Sequence, residues 1–148
     1  MKRKQLQMEV CKALLDSTNK RCYCAKINES EIAVTTTGFD VFIFDISECV
    51  FDISKIKQHD ILSAVCDDHE KDIKISKTKE LFADGDHIVE KYTGENLDIY
   101  VNREVSKKFN GSGINFFAHS PRERILVKDM LGRKVGAFLP VRFDEKEI

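Results

Sequence analysis

Two stretches of the chain follow one plan: "EIAVTTTGFDVFIF" (31–44) and "RILVKDMLGRKVGAFL" (124–139) are each an apolar run, a glycine turn and a second apolar run. Short runs rich in β-branched and aromatic residues, broken by glycine, are hairpin signals. Any fold open to this chain must therefore hold two similar hairpins near its two ends. Each is preceded by a further strand-like run, "RCYCAKI" (21–27) or "INFFAHS" (114–120), and by a helix, the helix starts lying roughly 98 residues apart. The repetition predicts an internal duplication, with halves of approximately 1–46 and 97–143 within one domain of 1–148.

The helices follow from spacing and capping. From Lys4 to about Asp16 the residues Leu6, Val10, Ala13 and Leu14 recur at three- and four-residue intervals with no Gly or Pro between them, which places them on one helical face. In the second half "LDIYV" (97–101) reads as a strand, and Asn102 is placed to cap a helix running to about Phe109. Val105 and Phe109 would hold that helix to the sheet, leaving Arg103 and Lys107 on another face. Between the halves, residues 47–96 hold "CVFDISK", "ILSAVC", "DIKIS" and "HIVEKY", which read as short strands of open order between charge-rich loops such as "DDHEKD" and "FADGD". The fold class predicted is α+β, two helices packed on antiparallel sheets in halves related by a pseudo-twofold.

Composition narrows the function classes. A chain of 148 residues, 42% hydrophobic and 33% charged, can bury one ordinary core without disulfides or metal. Lys plus Arg number 24 against 25 Asp plus Glu, a net charge of −1. Attraction to nucleic acid would therefore have to come from a local patch. No run of about 18 apolar residues is present, so no membrane span is expected. The basic start "MKRKQLQMEV" leads into no apolar core, so no signal peptide is expected and a cytoplasmic location is. The five cysteines, odd in number and irregularly spaced, are expected to stay reduced.

The segment "IYVNREVSKKFNGSGINFFAHSPRERILVKDMLGRKVGAFLPVRF" resembles the closing part of bacterial DNA polymerase sliding clamps. It has a strand ending near "VN", a short helix, a strand ending near a proline, another strand, and a last strand ending in a "PVR"-like signature. The "VN…helix…LP" ending also resembles small proteins carried by phages and mobile elements of Gram-positive bacteria. The clamp resemblance implies a domain of two helix-plus-strand halves, with helices lining a hole for duplex DNA and sheets outside. A clamp ring has six such domains, so one domain per chain implies a homo-oligomer. It further implies a non-catalytic module with double-stranded DNA or a replication protein as partner. The DNA-contact candidates are then Arg3, Lys4 and Lys12 on the first helix and Arg103, Lys107 and Lys108 on the second, where they would contribute salt-sensitive, sequence-independent contacts. The alternative for these residues is a solvated face diluted by Glu9, Asp16 and Glu104, on a protein-interaction module of the same fold that binds no DNA.

Other motifs carry bland readings beside sharp ones. Cys22, Cys24, Cys66 and His69 offer zinc-type ligands, but their spacing is no standard knuckle and buried reduced cysteines are commoner, so no metal or cofactor is expected. His59 with Asp60, His69 with Asp67 and Asp68, and His87 with Asp84 and Asp86 are pairs that a small metal-dependent hydrolase could use. No nucleophile elbow, P-loop or dinucleotide fingerprint accompanies them, so no catalytic residue is assigned and the chain is read as a non-enzyme. The phenylalanines 39, 42, 44, 51, 116, 117 and 138 read as core in preference to a peptide groove or base-stacking platform.

Overall fold

The alternating apolar runs around Gly38 and Gly132 become hairpins, β2 (Glu31–Thr35) with β3 (Asp40–Asp45) and β9 (Ile125–Lys128) with β10 (Lys134–Phe138). Both turn glycines are left-handed, φ +83° and +78°, a conformation that side chains with a Cβ resist. The computed structural model describes residues 3–147. Residues 1, 2 and 148, the outermost ends of the expected domain, lie outside the described residues.

The chain is one α+β domain built on a single ten-stranded sheet. Its strand order is β4 (Lys57–Gln58), β1 (Tyr23–Lys26), β2, β3, β10, β9, β8 (Asn115–Ala118), β5 (Ile73–Asp84), β6 (His87–Gly94), β7 (Leu97–Asn102). The expectation of separate antiparallel sheets is corrected: the sheet is continuous and mixed, because β4 runs parallel to β1 after the chain has crossed back through two 3₁₀ turns. The first turn, Ile46–Glu48, precedes the "CVFDISK" region (49–55) expected to be a strand; the second, Ile53–Lys55, closes that region, and the Asp52 side chain accepts from the Ser54 amide to cap it.

Two further expectations in the middle change. "ILSAVC" is helical, α2 (Ile61–Val65), because Leu62 and Cys66, four residues apart, are its buried contacts. "FADGD" is largely strand: β5 runs on to Asp84, and only Gly85 and Asp86 form the turn into β6. The bulge between Lys77 and Leu81 lets this long ribbon bend.

The final strand answers to no sheet edge. β10 lies between β3 and β9, with Gly136 opposite Phe42 and Ala137 opposite Leu126. Beyond it the Leu139 amide donates to Phe39 O at 2.9 Å and the Val141 amide to Tyr100 O at 2.8 Å. Pro140, which has no N–H, stands between these two donors, where none is missing. Since Tyr100 belongs to β7 at the far end of the sheet, the sheet curls until three residues of chain bridge its middle to its edge. The tail then lies on the ribbon: the Phe143 ring centroid is 5.1 Å from Phe82 and 5.3 Å from Tyr100, and Glu145 accepts from the Tyr100 hydroxyl at 2.7 Å. Arg142 is exposed.

Strand alternation sorts the apolar residues to two sides. On one lies the main core, with Val34, Phe42, Phe44, Tyr92, Ile99 and Phe138 from the strands and Leu6 and Val10 from α1 (Arg3–Leu15). On the other Ala25, Ala33, Val41 and Ile43 pack against Leu62 and Cys66 of the α2 region. Burying side chains of this size contributes about 1.5–3 kcal/mol each.

Candidate functional site

The second predicted helix is α3 (Arg103–Ser106) extended by a 3₁₀ turn, Lys107–Phe109. Asn102 caps it as expected, its side-chain oxygen accepting from the Glu104 amide at 3.0 Å. A single helical turn has little stability of its own, and tertiary contacts hold this one. Phe109 is fully buried, its ring stacked on Phe42 at 5.0 Å and on Phe138 at 5.3 Å. It lies directly over Gly136, where a Cβ would come within 2.5 Å of the ring and 2.4 Å of Val41 O. That close approach explains a glycine inside a central strand. Ser106, also buried, places its hydroxyl 3.3 Å from Glu90.

Because Phe109, Leu6 and Val10 share the main core, α1 and α3 lie on the same side of the sheet. Lys108 joins them. Its ammonium is 3.0 Å from Asp40, whose side chain is wholly buried, and 3.5 Å from Glu9 of α1. Burial opposes the charge on Lys108, yet the Asp40 and Glu9 carboxylates outweigh it and raise its pKa above the ordinary lysine value. The Thr37 hydroxyl, 3.0 Å from Asp40, completes the shell. Between the helices is a cavity of about 680 Å³ lined by Gln5, Glu9, Val105, Lys107 and Lys108 among others.

The six cationic candidates divide evenly. Arg3 is committed to the fold, donating to Ile43 O at 3.1 Å and to Glu48 at 2.5 Å, and the Arg3 bond holds Glu48 below its ordinary pKa. Lys107 pairs with Glu104 at 2.6 Å and Lys108 with Asp40 and Glu9. Lys4, Lys12 and Arg103 are exposed and form no ion pair among the described residues. Counted by element, α1 carries three cations and one anion, and α3 with its 3₁₀ turn carries three and one. The two helices thus supply +4 to a chain whose net charge is −1.

The other candidates scatter. Cys24 belongs to the main core and Cys66 to the core on the opposite side of the sheet, and burial raises both thiols, Cys66 to about 12. No group of three metal-ligating side chains gathers among the described residues. His59 packs edge-on against Tyr23 at 5.2 Å, and Asp68 pairs with Lys128 at 2.9 Å instead of a histidine. Five of the seven phenylalanines read as core are buried, while Phe39 is 51% exposed and Phe117 half-buried beneath the Lys128 ammonium.

One cluster has no counterpart in the sequence reading. Asp72 at the entry to β5 receives both guanidinium nitrogens of Arg124 at 2.9 Å and His119 Nδ1 at 3.0 Å. Burial works against the Asp72 charge, but the Arg124, His69 backbone and His119 bonds prevail and bring its pKa to about 2. Asp72 lies 47 residues before His119 and 52 before Arg124, so no local spacing could have announced the cluster.

No family model, curated protein or solved structure matches the chain.

Proposed function

We propose that the chain is a sliding-clamp-type domain, a non-catalytic module that associates with duplex DNA through α1 and α3. The observation that carries this reading is the order of elements. Outward from the β3 and β10 pair run β2 and β1 on one side and β9 and β8 on the other, each triplet preceded in the chain by one helix, both helices on the same side. This order supports the pseudo-twofold plan that the resemblance of the last 45 or so residues to clamp proteins implies. The +4 on the two helices supports a DNA-facing side in an otherwise acidic chain.

Duplex binding measured between about 50 and 200 mM salt tests it. Affinity should fall as salt rises, and replacing Lys4, Lys12 and Arg103 together by Gln should flatten the log–log slope by about three, one per lost phosphate contact. A duplex that does not bind at low salt removes this reading. Light scattering after size exclusion tests the ring: a strict monomer at high concentration rules out a closed clamp. The commitment of Arg3, Lys107 and Lys108 to intramolecular pairs favours the second reading, a protein-interaction module of the same plan that leaves DNA alone.

A further inference from the structure

His119 closes β8, half-buried, with a carboxylate at each ring nitrogen: Asp72 Oδ1 lies 3.0 Å from Nδ1 and Glu123 Oε2 lies 2.5 Å from Nε2. A carboxylate can only accept, so both bonds form together only when the imidazole carries two protons. Asp72 cannot supply the missing proton, because Arg124 grips both of its oxygens and the His69 amide donates to it at 2.9 Å. A second imidazole, His69, lies parallel to His119 with centroids 3.7 Å apart and planes 11° apart. The Lys71 amide donates to His69 Nδ1 at 3.1 Å, which requires a lone pair there and therefore a neutral ring. A neutral imidazole stacked on a charged one would avoid the like-charge repulsion of two imidazolium rings.

We infer that His119 is a proton-dependent latch whose Nε2–H bond to Glu123 ties the 119–124 connection to β8 and opens when the ring loses its second proton. The bond that survives is the one to Asp72, since that carboxylate stays ionised throughout the imidazole range and Arg124 stays anchored to it. Movement is thus confined to residues 120–123, between two fixed points. The charged and titratable groups facing His119 are Asp72 from the β5 entry, His69 from the loop before it, and Glu123 and Arg124 from its own connection. Pro121 and Arg122, inside the released segment, form part of the wall of a cavity of about 620 Å³ beside the C-terminal tail, with Tyr100, Asp98, Val141 and Phe143. Releasing the latch frees that wall, so the accessibility of the cavity follows the protonation of one histidine.

The test follows the His119 ring and the backbone amides of residues 120, 122 and 123 by NMR from about pH 5 to 8, the window in which imidazole side chains titrate, in the full chain and in Glu123→Gln. Glu123 is largely exposed, 61% for its side chain, so the variant should fold as the parent does. A glutamine amide can offer oxygen to the charged ring or N–H to the neutral one and so no longer discriminates. In the parent the three amides should shift with the midpoint of the His119 ring, and in Glu123→Gln that shared transition should shrink at least twofold while the ring still titrates. Amides that ignore the His119 midpoint, or follow it with undiminished amplitude in Glu123→Gln, overturn the latch.

Discussion

α1 and α3 pack against the same core and are held there in opposite ways. α1 has 13 residues and spreads its attachment over Leu6, Val10 and Ala13, with Gln7 bridging to Glu48 O and to the Val50 amide, each at 2.8 Å. α3 has four residues and a 3₁₀ turn, and it depends on Phe109 lodged over Gly136 and on the Lys108 ammonium seated between Asp40 and Glu9. A long amphipathic helix divides its attachment among many modest burials. A single turn concentrates it in one aromatic ring and one buried charge pair, and single substitutions should therefore strike the two helices unequally.

The largest effect should come from Phe109→Ala, which empties the space between Phe42 and Phe138 and should cost about 4 kcal/mol in urea unfolding. A loss under about 1 kcal/mol would show that α3 is held by something other than its aromatic anchor. Lys108→Ala comes next. It strands the wholly buried Asp40 carboxylate and should cost about 3 kcal/mol, while Asp40→Asn added to it should recover most of the loss. Failure to recover would place the cost in the lysine stem's packing instead of the unpaired charge. Val10→Ala, a fully buried side chain on the longer helix, should cost about 2 kcal/mol, because its neighbours share the load. If it proves more damaging than Phe109→Ala, the contrast between the helices is inverted.

Legibility followed the range of the interactions involved. The two glycine-centred hairpins, the apolar face of α1 and the Asn102 cap are set by residues within a few positions of one another, and each was readable. "ILSAVC" was not, because a six-residue apolar run fits a buried strand and a buried helical turn equally well until its packing partner is known. The β5 and β6 ribbon was seen only in pieces, since "FADGD" reads as a loop and the pairing of Leu81, Phe82 and Ala83 with Glu90, Val89 and Ile88 becomes apparent only across the turn at Gly85. The six cations were found as a set, but the commitment of Arg3 and Lys108 was not, because Asp40, Glu9 and Glu48 reach them through the fold, whereas the Lys107 pair with Glu104 is local. The Asp72, His119 and Arg124 cluster gave no sign at all, because Asp72 reaches the other two only through the pairing of β5 with β8.

Alone, the sequence determined the local units: an amphipathic helix, two hairpins of one pattern and a capped helical turn. Only the tertiary structure decided that β10 pairs with β3, with Phe42 opposite Gly136, and this pairing brings α1 and α3 to one side. Backbone amides and carbonyls are the same at every residue, so strand partners distant in the chain are chosen by how side chains fit once together. Here the absence of a Cβ at Gly136 makes room for Phe109, a match between distant residues that neither stretch of sequence displays by itself.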